Sequence, residues 1–332
     1  MRWVVTVLGT VFISGCWWNQ HPVDASFSTY TSRISNVQQS PDITLPDNAL
    51  VALPEKRQLM LEAPDIPFGF LDSYELRKCD LFNLIAEKNS ILGKVQDAFR
   101  NLDYQTQLVA GLSRCLASSE ISEEMKAELK VVLDAKRRQL PAHFNNLVFV
   151  SQEMRVQLNG SNWVATDMSS LSAELKQGLQ AVSKTHQAIS RSEVESSDTV
   201  LTDYQEVIEK QPLVGSLSYS MQNASSKLAA ITQQLEQYDA VIVCGVGRND
   251  TKFKTLRNVF QLYYVEQLQP YFAKLDRLYL QVSPQLDFVR SSNADYIYPI
   301  DTLHTKFRQA IADHVNYWKT LFKRCRASPT RN

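Results

Sequence analysis

The sequence predicts an all-α fold, an elongated bundle of long antiparallel helices preceded by an extended proline-rich strap. Three observations carry this. No proline lies between Pro67 and Pro141, and apolar residues there recur at helical spacing. From Val214 through Leu217, Met221, Ala224, Leu228, Ile231, Leu235 and Tyr238 to Ile242, the steps alternate between three and four without a miss. Near the C-terminus, Ile300, Leu303, Phe307, Ile311, Val315, Trp318, Phe322 and Cys325 repeat the pattern.

In chain order, residues 1–15 read as a signal segment and 16–67 as a tether and strap. Residues 68–326 read as the helical domain, and 327–332 as a disordered tail. Six of the twelve prolines fall at 22, 41, 46, 54, 64 and 67. Between Phe27 and Gln39 the chain is mostly Ser, Thr, Asn and Gln, which reads as solvated linker with no helix running through it. If flexible, the fifty residues would span roughly 40 Å. From about Leu45, the alternation at Val51/Leu53 and Leu59/Leu61 predicts extended chain lying against the domain.

Leu81, Ile85, Leu92, Val95, Phe99 and Leu102 form the first helical stripe, in one long helix or in a hairpin. Cysteines decide between them. Bridged Cα atoms lie within about 7 Å, whereas 36 residues of straight helix would hold Cys79 and Cys115 ~54 Å apart. A hairpin turning near Asp97 brings them level, so Cys79 is expected to pair with Cys115. Cys244 and Cys325 both lie near helix C-terminal ends, so parallel helices would place them together, and they then form the second pair. Four cysteines allow three pairings. Free thiols are the alternative, and zinc would prefer Cys-x₂₋₄-Cys or Cys/His spacings that the chain lacks.

Glu120, Glu123 and Glu124 open the next helix, and Lys136, Arg137 and Arg138 are expected to close it, complementing its dipole. Pro141 should begin another helix that stops at Gly160. Thr166 or Asp167 should cap a helix carrying Met168, Leu171, Leu175, Leu179, Val182, His186 and Ile189. The heptad seam admits a coiled-coil dimer, but with so many amphipathic helices available the central helix of a monomeric bundle is favoured. Gly245 and Gly247 end that helix; position 250 is Asp, so the dinucleotide fingerprint is incomplete. Asp250 should cap a helix bent or split at Pro270.

At the other end of the chain, Arg2 precedes twelve mostly apolar residues, too few to span a membrane. Ile13-Ser14-Gly15-Cys16 resembles the lipobox of bacterial lipoproteins. That resemblance implies cleavage before Cys16 and acylation of its thiol and new amino terminus. Trp17 and Trp18 suit a lipid–water boundary. Because Trp17 is not Asp, the family's sorting rule implies lipid anchoring to the outer membrane, facing the periplasm. Without Arg2 the mature chain carries a net charge of −1, which argues against nucleic acid.

Cys79-Asp80-Leu81, with Ala86-Glu87-Lys88-Asn89-Ser90 and Leu92-Gly93-Lys94-Val95, resembles a family of uncharacterised proteobacterial lipoproteins. That family is classed as a domain of unknown function (number three thousand and eighty). The resemblance implies a compartment and an anchor, and supplies no reaction.

The densest polar cluster is Glu87, Lys88, Asn89, Ser90 and Lys94, a partner contact or a hydrogen-bond network at the hairpin turn. The histidines at 21, 143, 186, 304 and 314 are scattered and make no metal or nucleophile-elbow motif. No metal or other cofactor is expected. Tyr263, Tyr264, Tyr271, Phe272, Tyr279, Tyr296, Tyr298, Tyr317 and Trp318 read as core and rim ahead of a binding platform. The expected function is a non-enzymatic envelope module that binds an envelope protein or cell-wall component. The alternative is an envelope enzyme or small-ligand carrier with a site between helices.

Overall fold

The structure, a computed structural model, describes residues 21–64, 74–91 and 93–327, the side chains of Tyr74 and Lys94 excepted. The signal segment, Cys16 and residues 328–332 lie outside the described residues. Helices make up the described architecture. The extended contact among the described residues is one isolated antiparallel bridge between Val51 and Gly160.

The largest departure from the sequence reading comes first in the chain. Pro22–Gln38 is a 17-residue helix, α1, where a solvated linker was expected. Val23, Phe27, Tyr30 and Ile34 step by four, three and four, and all four are buried. Of the polar residues that disguise this face, Thr31 bonds within its own helix and Gln38 donates to the Leu235 carbonyl at 3.3 Å. Thr31 Oγ1 donates to the Phe27 carbonyl at 2.8 Å, and Ser26 and Thr29 make the same backward bond on the exposed side. Pro22 occupies the first turn, where its missing N–H costs nothing, and Pro41 lies beyond the left-handed Gln39 cap. The prolines therefore bracket a helix, and the helical domain begins at about residue 22 rather than 68.

The strap that follows is pinned to the bundle by its backbone. Ala49 exchanges hydrogen bonds with the Asn223 side chain at 2.7 and 3.0 Å. Val51 exchanges two with Gly160 at 2.9 and 2.7 Å. Asn146 clasps both the N–H and the carbonyl of Leu61, at 2.9 and 2.8 Å. Val51 and Leu53 are buried, as their alternation requires. Leu59 and Leu61 do not alternate, because a Glu55–Gln58 capping box folds Lys56–Leu59 into a helical turn and leaves Leu61 exposed.

Beyond the 3₁₀ turn Tyr74–Cys79, α2 (Leu81–Asn89) and α3 (Ala98–Ala117) form the hairpin. Asp97 caps α3 by accepting from the Arg100 N–H at 2.9 Å. Cys79 and Cys115 are bridged, with Cα atoms 5.1 Å apart. Leu81, Ile85, Phe99 and Leu102 are buried, but Val95 is 83% exposed, because it lies in the turn rather than on a helix. Replacing both cysteines by Ala is expected to destabilise the protein by about 2–5 kcal/mol. Urea unfolding of this variant beside the parent measures it.

Glu123–Val150 is a single helix, α4, and Pro141 lies inside it. Pro141 faces solvent, where the carbonyl deprived of its donor can be hydrated, so the expected break does not occur. Lys136, Arg137 and Arg138 are consequently mid-helix. The chain breaks instead at Ser151, which ends α4 and caps α5 (Gln152–Leu158). α5 ends at Leu158 with Asn159 as its C-cap, just before Gly160 as expected, and Gly160 is also the partner of the strap. α6 spans Ala173–Arg191 and is capped by Ser172 rather than Thr166 or Asp167. The six-residue α7 (Gln205–Lys210) leads to α8 (Leu213–Gln237).

In α8 the seam residues Val214, Leu217, Met221, Ala224, Leu228, Ile231 and Leu235 are all buried within the one chain. The helix ends before Tyr238, short of the expected Ile242. α9 (Thr251–Val259) runs through a π-helical stretch, Phe260–Leu268, into α10 (Gln269–Val282). The wider i→i+5 turns let the chain pass Pro270 without stopping. α11 spans Ile300–Arg324 and packs along α8.

These two central helices are parallel, as a Cys244–Cys325 pair requires, within a bundle expected otherwise to be antiparallel. Ser218 contacts Tyr298 before α11, Thr232 contacts His314, and Asp239 contacts Arg324. Beyond their C-terminal ends, Cys244 in the loop after α8 is bridged to Cys325, the C-cap residue of α11. One continuous apolar core runs from Val23 to Phe322. Tyr264, Tyr298 and Trp318 are at most 1% exposed, and Tyr271 and Phe272 are buried beside them.

His314 sits at the centre of this core. Its Nε2 accepts from the Trp318 indole at 3.1 Å and lies 3.0 Å from the Tyr30 hydroxyl. That leaves the proton on Nδ1, directed at Thr232 Oγ1 at 2.9 Å. Burial lowers its pKa to about 3. Below pH 6.5 the unfolded chain therefore binds a proton that the folded chain refuses, and stability falls with pH until about pH 3. Each unit costs ~1.4 kcal/mol. The stability advantage of the parent over His314→Gln should shrink by about 2–3 kcal/mol between pH 7 and pH 4.5, read from urea titrations.

Candidate binding cleft at the hairpin

α2 ends at Asn89, and Ser90 is extended with ψ 164°. The chain turns back at Gly93, whose position only glycine can hold. A Cβ there would lie 2.2 Å from the Glu87 carbonyl oxygen and 2.6 Å from that of Lys88. Ser90 Oγ accepts from the Gly93 N–H at 3.0 Å. This tight reversal sets α2 beside α3 and opens a cleft of ≈ 430 Å³.

One wall comes from α2 and the turn, with Leu84, Glu87, Lys88 and Ser90. Arg100, Asp103, Tyr104 and Gln107 of α3 form the floor, and Val200 and Thr202 form the far wall. Lys88 crosses the hairpin. Its Nζ donates to Gln96 Oε1 at 2.7 Å and Asn101 Oδ1 at 3.4 Å, above the Tyr104 ring. Asp103 fixes the far wall by accepting from the Leu201 N–H at 2.8 Å, the Thr202 N–H at 2.9 Å and the Thr202 hydroxyl at 2.6 Å. Burial pushes the Tyr104 hydroxyl up to about 12, so at neutral pH it is an uncharged hydrogen-bonding group.

Of the sequence-predicted cluster, Glu87, Lys88 and Ser90 share this cleft, whereas Asn89 is exposed and does not line it. The expected Ser90–Lys94 face does not exist as a helix face, because the helix ends before Ser90; the Lys94 side chain lies outside the described residues. The α3 and 200–202 residues were missed. Asp103, a carboxylate on the buried face of an amphipathic helix, was the available signal, since a buried charge must be paired or hydrogen-bonded. Its partners lie 98 and 99 residues away, beyond the reach of local pattern.

Other polar constellations resolve into structural roles. Ser183 Oγ donates to Asp287 Oδ1 at 2.5 Å, and His186 Nδ1 lies 3.5 Å from the other oxygen. The serine thus bonds the carboxylate and not the imidazole, which would have to be its base. His186 itself stacks on Phe144. His304 stacks on Tyr279 and lies 2.7 Å from Asp276, bracing α11 against α10. Among the described residues no group of three His, Cys, Asp or Glu side chains is placed to hold a metal ion. No described helix is long and apolar enough to cross a membrane.

Fold and cleft together define a disulfide-bonded helical bundle with a preformed polar cleft at one hairpin. The family model described as protein of unknown function (DUF3080) matches residues 27–329, and the chain belongs to that family. No curated protein and no solved structure matches the chain.

Proposed function

We propose that this chain is a periplasm-facing lipoprotein of the outer membrane, acylated at Cys16, that works as a non-enzymatic binding module. Its cleft takes an exposed segment of an envelope protein or a cell-wall component. The observation that supports this is the cleft itself, whose walls are held in place before any ligand arrives. Lys88 bridges its two arms and Asp103 clamps its far wall. The lining presents donors and acceptors of both signs, from Glu87, Arg100 and Gln107, to an extended polar chain. Ile91 and Val95 stand 87% and 83% exposed on the turn beside it, and burying such side chains would add to affinity.

A photocrosslinking amino acid at Gln107 should capture one defined partner in living cells, and Arg100→Glu in the same protein should abolish that capture. Capture of only abundant neighbours, or capture indifferent to Arg100→Glu, contradicts the reading. A second reading, a small-ligand carrier, is favoured by the volume of ≈ 430 Å³, which lies within the usual range for ligand pockets. It predicts a small molecule retained in native mass spectra of the purified protein and lost in Arg100→Glu.

A further inference from the structure

The structure of α1 changes how an anchor at Cys16 would act. A fifty-residue tether would let the domain wander. Instead α1 starts at Pro22 and is fixed in the core by Phe27, Tyr30 and Ile34, each 0% exposed. Five residues separate Cys16 from Pro22. Fully extended, that link reaches about 20 Å, comparable to the length of α1 itself, ~25 Å for its 17 residues.

The N-terminal end of α1 is also joined to the rest of the chain by polar side chains. Asp24 accepts from the Trp163 indole at 2.8 Å and from Asn48 at 2.9 Å, and lies 3.5 Å from Lys227. Lys227 in turn donates to the Pro46 carbonyl at 2.9 Å. His21 stacks on Trp163. The point of attachment is therefore continuous with the strap, the 159–170 loop and α8, and cannot swing away from them. Around it the surface offers Leu50, 66% exposed, with exposed Asn162 and Thr166. The carboxylate at its centre, Asp24, is already matched by Lys227.

From this we infer that the protein stands on the bilayer on one face, made by the N-terminus of α1, the strap at Leu50 and the loop at Asn162. This rests on the lipid-anchored reading. The C-terminal half of α1 then points away from the lipid. There Val37 and Gln39 line a groove of ≈ 480 Å³ with Arg33, Lys252 and Thr255.

The test uses the acylated full-length protein in vesicles of phosphatidylethanolamine and phosphatidylglycerol with a nitroxide on the lipid headgroup. A fluorescent amino acid is placed at Asn162 in one sample and at Thr255 in another. Quenching should be several-fold stronger at Asn162. Equal quenching, or stronger quenching at Thr255, in protein that floats with the vesicles overturns the orientation and leaves the anchor standing. Failure of the acylated protein to float where Cys16→Ala also fails removes the anchor reading and the inference with it. Inserting about 20 Gly/Ser residues between Gln20 and His21 should level the two sites. Persistence of the difference would show that the short link does not orient the bundle.

Discussion

A chain beginning at residue 68, where composition alone would start the domain, is expected not to fold, whereas one beginning at His21 should unfold cooperatively. The reason is the place of α1 in the core. Phe27 lies against Trp163 and Phe272, with ring centroids 6.3 and 6.0 Å away, and Tyr30 reaches Tyr264 and His314. Removing α1 would strip these rings of one side and leave Lys227 without Asp24. Loss of one partner of a buried ion pair alone costs about 3–5 kcal/mol. Phe27→Ala should by itself cost about 3–5 kcal/mol, a large share of the 5–15 kcal/mol typical of a folded domain. Circular dichroism and urea unfolding of the three proteins measure this, and a cooperative transition in the 68-onward chain would refute it.

The second large effect is expected at Gly215. Where α8 starts, its backbone crosses the segment after α5 with no side chain between them. A Cβ on Gly215 would lie 2.2 Å from the Asn159 carbonyl oxygen and 2.5 Å from its carbon. One on Gly160 would lie 2.2 Å from the Gly215 carbonyl oxygen. Both obstacles are backbone, and Gly160 is also bonded to Val51 of the strap, so neither side can yield without breaking the bridge. Gly215→Ala should therefore destabilise by about 3 kcal/mol, against the gain of up to ~1 kcal/mol that Gly→Ala normally brings inside a helix. A midpoint in urea equal to that of the parent would contradict the close crossing.

What could be read from the sequence follows from where the information lies. α8 and α11 were legible because each buries one apolar stripe at the helical period, and that period is local. α1 was not, because Thr31, Ser35 and Gln38 share its buried face and dilute the stripe. The Thr31 hydroxyl bonds backward to its own helix and Gln38 reaches the Leu235 carbonyl, satisfactions that composition does not record. Pro141 misled for a related reason. The carbonyl that Pro141 leaves without a donor is that of Arg137, and both residues lie on the exposed side of α4, where water can bond it.

The cleft was half legible. Glu87, Lys88 and Ser90 stood out as a polar run on an apolar helix. Its floor and far wall depend on Asp103 meeting residues 201 and 202, a pairing set by packing of the whole chain.

The proposed anchor at Cys16 would act through α1, which the core holds fixed. The most direct measurement is the mass of the N-terminal peptide of the protein extracted from membranes. The account predicts a chain starting at Cys16 that carries a diacylglyceryl group on its thiol and an acyl group on its amine. A chain that retains residues 1–15, or begins elsewhere with an unmodified amine, would contradict it.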